Sequence, residues 1–476
     1  MNNIKFGTDG WRAIIAKDFT VDNVARVTVA VATWLNKKHK NPSVVIGYDF
    51  RFGGKLFAET VAKVLATYEI KAHIAISQVS TPAVSLAIVK LKAQLGVMIT
   101  ASHNPPDYNG YKLKGNHGGP LLEESTKEIE NTIPEEHELI LDSLKWSDFV
   151  KNGFIKEVDL EEMYIKHVHE NFDMEALRKS KFHFAFDAMY GAGQNVMKKL
   201  FPDIFLLHCE NNPSFHGIPP EPLHKNLLEF SNYIATSGKI DCGLVVDGDA
   251  DRIGLYDSKG NYITSHMIIL ILTYYLAEFK KLKGKVVTGF SSTVKVEKLC
   301  KKYDIPVQRV RIGFKDICKV MLQDDVLVGG EESGGITCKG HIPERDGIWM
   351  GLTIWQFMVE TGKSIEQIIN EIYAITGTFF YARHDLKIEE HHKKAVVDAC
   401  KNDVFKKFGE LVVDHVETLD GFKYFINENE WLMLRASGTE PLLRIYAECT
   451  SEERVKLFLD EGLKAVNLLK PKAKDS

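Results

Sequence analysis

None of the seven cysteines (209, 242, 300, 318, 338, 400 and 449) stands in a Cys-x-x-Cys pair, and their number is odd. That argues for reduced thiols in a reducing compartment rather than a disulfide framework or a zinc site. No charge of one sign dominates, since 60 basic against 64 acidic residues leave a net charge of −4. Such a balance gives no field for nucleic acid or an anionic membrane, so neither is expected as a partner. No apolar run is long. The longest, Met267-Ile-Ile-Leu-Ile-Leu-Thr-Tyr-Tyr-Leu-Ala277, falls short of the roughly 20 residues that span a bilayer. Met1-Asn-Asn-Ile-Lys-Phe6 has no apolar signal core and no segment is of low complexity, so a cytoplasmic location is expected. What remains is a chain of 476 residues, 45% hydrophobic and 26% charged, the composition of an ordinary soluble protein with three or four domains.

A weak repeat organises the first three quarters. Val44–Asp49 precedes a helical pattern over Lys55–Ala66, Phe182–Asp187 precedes Gln194–Leu200, and Lys285–Phe290 precedes Val294–Lys302. Each unit then presents a second buried strand ending in a polar loop. Leu95–Thr100 runs into Ser102-His-Asn104, Gly243–Val246 into Asp247-Gly-Asp-Ala-Asp-Arg252, and Val326–Val328 into Gly329-Gly-Glu-Glu-Ser-Gly-Gly335. Strands alternating with helices predict an α/β class with mixed, largely parallel, doubly wound sheets. Ser364-Ile-Glu-Gln367 is a capping box, and Gly377 stops the helix that follows. Beyond Thr378 the pattern becomes α+β: strand Phe379–Arg383, a helix over Glu389–Phe408, strand runs at Phe422–Ile426 and Trp431–Leu434, and helix Glu452–Leu469. A charged tail, Pro471–Ser476, is expected to fray. The acidic stretch Ile133–Glu157 reads as the first linker, and the domains are expected at 1–145, 155–257, 258–376 and 377–470.

Four loops could carry chemistry. In Thr100-Ala-Ser-His-Asn-Pro-Pro-Asp-Tyr-Asn-Gly-Tyr111, a buried strand delivers the Ser102 hydroxyl to a sheet rim beside His103, with Lys112 ten residues on. The same residues equally suit a turn or helix cap. Asp247, Asp249 and Asp251 alternate on one short loop and can wrap a hard divalent cation. Their alternative is an Asp/Gly turn with solvated carboxylates. An EF-hand fails, because Arg252 stands where that loop needs glycine and Ser258 where it needs glutamate, so magnesium is favoured over calcium. A phosphorylated Ser102 would need such a cation. Arg435-Ala-Ser-Gly-Thr-Glu-Pro441 reads as an anion cradle of a guanidinium fork, the Ser437 and Thr439 hydroxyls and the open backbone of Gly438, with Arg444 a further donor, or else as a polar hairpin turn. The paired acids of the 329–335 loop suit sugar hydroxyls better than phosphate.

In this order the four loops resemble the α-D-phosphohexomutase superfamily, over nearly the whole chain from Phe6-Gly-Thr-Asp-Gly-Trp-Arg12 to Arg444. The resemblance implies that Ser102 is the phosphoserine. It makes Asp247, Asp249 and Asp251 ligands of one Mg2+ per subunit, with the serine phosphate on Ser102 as a further ligand. Glu331 and Ser333 would hold sugar hydroxyls, and Arg435, Ser437, Gly438 and Thr439 would grip the non-reacting phosphate. Arg12, His103, Lys112 and Arg252 would surround the transferring phosphoryl group, with His103 or Lys112 as the acid–base group. The implied fold is three related α/β domains and a smaller fourth around a central cleft. The implied reaction interconverts hexose 1-phosphate and hexose 6-phosphate through a hexose 1,6-bisphosphate, which also serves as activator. Glutamate at 332 and glycine at 335, where phosphoglucosamine mutases usually have Gln and His, favour glucose, with mannose as a second substrate and glucosamine as the alternative. Two rivals are a magnesium-dependent phosphatase and a silent sugar-phosphate-binding protein. Against them stand the missing Asp-x-Asp-x-Thr loop and the intact set of Ser102, three aspartates and Arg435.

Overall fold

The computed structural model describes residues 4–437 and 441–469. The charged tail from Pro471 lies outside the described residues. Six strands build the first sheet: Trp11–Ile14 (β1), Ser43–Tyr48 (β2), Lys71–Ala75 (β3), Leu95–Ile99 (β4), Tyr108–Gly115 (β5) and Ile155–Val158 (β6), in the order β1-β5-β4-β2-β3-β6. The second has five: Phe184–Asp187 (β7), Phe205–Leu207 (β8), Cys242–Val246 (β9), Ile253–Asp257 (β10) and Tyr262–Ile263 (β11), in the order β11-β10-β9-β7-β8. A third α/β segment supplies Lys285–Gly289 (β12), Val307–Val310 (β13), Val326–Gly330 (β14) and Ile336–Cys338 (β15).

These sheets are mixed. β2 runs parallel to β3 and β4, and β7 to β8 and β9, as alternating strands and helices require. Yet β4–β5, β9–β10 and β14–β15 are antiparallel. The loops after β4, β9 and β14 are therefore the bends of hairpins. A fully buried strand leads in, and a return strand leads back into the same sheet. Runs such as Val44-Val-Ile46 and Val97-Met-Ile99 have little or no exposure because helices cover the sheet, and burying each such side chain contributes about 1.5–3 kcal/mol.

The described chain divides into two compact units, residues up to 287 with 313–369, and residues 288–312 with those from 370 on. In the first, the expected linker 133–157 proves structured. Trp146–Lys151 is helical, β6 pairs parallel with β3, and Trp146, Phe149, Phe154 and Ile155 pack on the core of the first sheet. The first α/β layer thus extends past residue 155. Four spaced aromatic and aliphatic side chains outweigh the acidic composition that suggested a linker. Ser364 and Gln367 form the capping box, each backbone N–H donating to the other's side chain.

The second unit holds an antiparallel sheet. Its strands are Phe380–Lys387 (β16), Lys407–Phe408 (β17) with Leu411–Val412 (β18) as a separate ribbon, His415–Glu417 (β19), Phe422–Asn427 (β20), Glu430–Ala436 (β21) and Leu442–Cys449 (β22). The five-stranded order is β16-β22-β21-β20-β19, backed by helix Glu452–Leu468. The helix expected over Glu389–Phe408 ends at Lys401. Asp403 turns left-handed at φ 53°, and β17 and β18 follow as a tight ribbon. Among the described residues no helix is long and apolar enough to cross a membrane.

Candidate active site

Ser102 sits at the end of β4 with φ 52°, a left-handed conformation that only surrounding structure can hold in a serine. It is buried, and its hydroxyl donates to Asp247 Oδ2 at 2.6 Å, with His103 Nδ1 3.4 Å away. The two loops meet because residue 248 is glycine. A Cβ there would lie 2.5 Å from the Ser102 carbonyl oxygen.

Asp247, Asp249 and Asp251 have no exposure at all, and one oxygen of each lies within 4.8 Å of the others. Three dry carboxylates that close repel strongly unless cations answer them. Burial and the neighbouring Asp249 and Asp251 push the Asp247 carboxyl far above its ordinary range, against the pull of Arg252. Asp249 goes the other way. Burial would raise it too, but the Lys112 ammonium 2.7 Å away overrides that and holds it low.

The oxygens divide into two sets. Asp247 Oδ1 accepts the backbone N–H groups of Asp251 and Arg252. Asp249 Oδ2 takes Lys112 and the Thr81 hydroxyl, and Asp251 Oδ2 takes Lys112 at 2.9 Å and Arg345 at 2.7 Å. Asp249 Oδ1 and Asp251 Oδ1 are buried with no hydrogen-bond partner. Three clustered carboxylates, two of them with a buried unbonded oxygen, and the Ser102 hydroxyl on Asp247 offer only oxygen donors, which suits a hard divalent cation such as magnesium.

Cationic groups ring this centre. Lys112, on β5, is 1% exposed, and although burial opposes its charge, Asp249, Asp251 and Asp9 keep it protonated well beyond its usual range. Arg12, on β1, donates to Asn104 Oδ1 at 2.6 Å, while Arg252 reaches Glu221 at 3.3 Å. Burial, with Arg252 and Arg12 nearby, holds His103 well below its ordinary value, so its ring is neutral. The Glu331 carboxyl is buried in its hairpin bend between β14 and β15, and Ser333 is half-buried there. Burial lifts Glu331 to about 7, against Arg345 and Arg252. The Gly334 carbonyl accepts the Ile253 N–H at 3.0 Å, which ties this bend to the aspartate hairpin.

Three contributors escape the sequence reading. Asp9 receives Lys112 at 2.8 Å and Arg345 at 2.6 Å. Arg345 bridges Asp9 to Asp251, and a Cβ at Gly335 would strike its side chain at 2.4 Å. Thr81, starting the helix Thr81–Leu91, bonds Asp249 through its hydroxyl and its N–H. The signals were present: Asp9 lies inside the quoted Phe6–Arg12 motif, and Arg345 stands between two acids ahead of an apolar helix.

In the second unit, Arg435 on β21 and Arg444 on β22 are direct cross-strand partners. Like charges directly opposite destabilise a sheet, and acidic partners answer both here. Arg435 Nε donates to Asp420 at 3.0 Å, and Arg444 Nε lies 3.7 Å from Asp385. Ser437 closes the strand pair, its N–H bonded to the Leu442 carbonyl. Gly438 and Thr439 lie outside the described residues.

Four models of one family match the chain in order. They are the phosphoglucomutase/phosphomannomutase alpha/beta/alpha domain I at residues 3–139, domain II at 162–260, domain III at 264–375 and the C-terminal domain at 386–465. A phosphoglucomutase/phosphomannomutase of Thermococcus kodakarensis is 28% identical over 464 residues, covering 96% of this chain and 97% of its own. A phosphoglucosamine/phosphogalactosamine mutase of Sulfurisphaera tokodaii is 29% identical, covering 97% and 98%. The crystal structure of a candidate phosphomannomutase from Thermus thermophilus superposes with a TM-score of 0.85 at 33% identity, covering 98% of this chain and 99% of that one. The fold is that of a phosphohexomutase, an isomerase. The chain belongs to the phosphoglucomutase/phosphomannomutase family of the α-D-phosphohexomutase superfamily.

Proposed function

We propose that this phosphohexomutase interconverts glucose 1-phosphate and glucose 6-phosphate, with mannose phosphates as second substrates, through phospho-Ser102 and a hexose 1,6-bisphosphate. The observation that carries the reading is the Ser102 hydroxyl 2.6 Å from Asp247, itself clustered with Asp249 and Asp251, each of which keeps a buried unbonded oxygen. Asp247, Asp249 and Asp251, with the Ser102 phosphate, would hold one Mg2+, which would neutralise charge on the transferring phosphoryl group. Phospho-Ser102 gives its phosphoryl group to O6 of the 1-phosphate. The new O6–P bond forms as the Oγ–P bond breaks, and the O6 proton ends on the serine oxygen. His103, neutral and 3.4 Å from Oγ, relays that proton, while Lys112 stays charged and fixes Asp249 and Asp251, and Arg12 and Arg252 would face the phosphoryl oxygens. The bisphosphate then turns round and returns its other phosphate to Ser102. Arg435, Ser437, Gly438, Thr439 and Arg444 grip whichever phosphate is not reacting.

Several relatives carry the name phosphoglucosamine mutase, among them proteins of Fusobacterium nucleatum and Methanocaldococcus jannaschii at 27% and 29% identity, which supports glucosamine as the second reading. Comparing kcat/KM for the 1-phosphates of glucose, mannose and glucosamine decides between them. A clear preference for glucosamine 1-phosphate overturns the choice of sugar and leaves the mutase intact.

The distal grip separates a mutase from a phosphatase. Arg435→Ala removes a charge-assisted contact worth about 1.5–3 kcal/mol. A mutase needs it for substrate and again for the turned bisphosphate, so KM rises, kcat falls and free bisphosphate escapes. Parallel assays of hexose 6-phosphate, bisphosphate and inorganic phosphate check this. Unchanged isomerisation kinetics would put the phosphate grip elsewhere.

Glu331 gives a pH signature. Its carboxyl, lifted from the ordinary 4.5 to about 7 by burial, takes up a proton as pH falls through about 7, and stability is lost progressively as pH rises from about 4.5 to about 7. A protonated carboxyl offers a sugar hydroxyl fewer acceptor sites, so KM climbs as pH drops below about 7. Glu331→Gln flattens that profile. An unchanged pH dependence of KM in the variant would remove Glu331 from the sugar contact.

A further inference from the structure

Arg51 follows β2 by three residues, is 3% exposed, and spends its guanidinium on one loop. One terminal nitrogen donates to the carbonyls of Pro105 at 2.7 Å and Tyr108 at 3.0 Å. The other donates to those of Ser102 and Asn104, both at 2.6 Å. Four carbonyls of the 102–108 segment converge on a single side chain. The fork is itself fixed. Arg51 Nε lies 3.5 Å from Asp49 Oδ2, Asp49 Oδ1 accepts the Arg51 N–H, and the Phe215 ring packs 5.0 Å from the guanidinium carbon. Asp49 Oδ2 also accepts the Thr100 hydroxyl, whose oxygen accepts the Ser102 N–H at 2.8 Å. Asp49, Arg51 and Thr100 therefore grip both backbone groups of a serine held at φ 52°.

We infer that Arg51, oriented by Asp49, is the positioning residue that holds the Ser102 hydroxyl in line for phosphoryl transfer. The inference rests on Ser102 as the phosphoryl carrier. Left-handed backbone is unfavourable for serine, so without the four carbonyl contacts the loop relaxes toward ordinary φ and Oγ swings away from Asp247. Planarity matters as much as charge. One guanidinium reaches four acceptors in two directions, whereas an ammonium has three donors on one atom. Arg51 touches no candidate metal ligand through its side-chain atoms except the Ser102 carbonyl, so its effect runs through the backbone.

The test is the rate at which glucose 1,6-bisphosphate loads Ser102. In that step the Oγ–P bond forms, a sugar O–P bond breaks, and the hydroxyl proton passes to the sugar oxygen. Arg51→Lys and Arg51→Ala are followed by peptide mass analysis at Ser102, with kcat, KM and melting temperature measured alongside. Both variants should load about 100-fold more slowly, the loss expected for a reacting atom misplaced by about 1 Å, with KM changed less than about threefold. Guanidinium ion should restore part of the Arg51→Ala rate. Should Arg51→Ala fail to fold, Arg51→Lys decides alone. Wild-type loading in Arg51→Lys overturns the inference, as does a loss that falls on KM as much as on kcat. Wild-type protein that never carries phosphate on Ser102 overturns instead the reading of Ser102 as carrier.

Discussion

Ser102→Ala is expected to abolish interconversion of hexose phosphates, with a loss on the order of 10⁴-fold or more, as when a nucleophile is removed from a concerted site. The fold should survive. The side chain is already 1% exposed, and alanine fills nearly the same volume at the same backbone angle. What goes is the hydroxyl that donates to Asp247 and neighbours His103, a hydrogen bond worth roughly 0.5–1.5 kcal/mol. A metal ion on the aspartates offsets part of that, so the melting temperature should move little with magnesium present. Intact-mass analysis should find phosphate on the wild type after exposure to glucose 1,6-bisphosphate and none on the variant. Undiminished turnover in Ser102→Ala would sink the phosphoserine mechanism outright.

Local features of this site were legible in the sequence, and distant ones were not. Val97-Met-Ile99 before Ser102, and Leu244-Val-Val246 before Asp247, are short apolar runs ending in polar loops, and both strand and loop stand where that pattern puts them. The return strands were hidden. Tyr111-Lys-Leu-Lys114 alternates, but the Asn-Gly before it and its two lysines read as a polar loop, and both lysines are buried only because distant Asp249 and Glu344 answer them. The third hairpin hides for another reason, since Ile336–Cys338 is only three residues long. Arg345 meets Asp9 across 336 positions, and Arg51 meets Asn104 across 53. No local pattern reports such contacts, because tertiary packing alone brings those charges together. Helix ends were legible where a cap is chemical, as at Ser364, and misread where only a left-handed Asp403 breaks the run.

Asp249→Asn should uncouple the protein from magnesium without unfolding it. Asp249 works on two sides. Oδ2 holds the Lys112 ammonium at 2.7 Å and the Thr81 hydroxyl, while Oδ1 is buried and bonded to nothing. An asparagine keeps the shape but loses the charge, removing one of three anionic donors. Metal affinity should then fall by at least the roughly 10–100-fold that losing an outer-shell partner costs. Thermal denaturation reads this without any assay of activity. If wild type is saturated at 100 times its Kd, magnesium adds about 2.7 kcal/mol of stability, and a 100-fold weaker site at the same concentration adds about 0.4. The metal-free proteins should differ far less. Lys112 keeps Asp251 and Asp9 as partners, and Asp247 is relieved of the nearby charge that, after burial, does most to raise its carboxyl. Activity should fall with the magnesium-dependent gain in melting temperature, since both report the same ligand. An equal gain in variant and wild type would mean that the aspartate cluster is answered by Lys112 and Arg345 alone, and that these orphaned oxygens hold no ion.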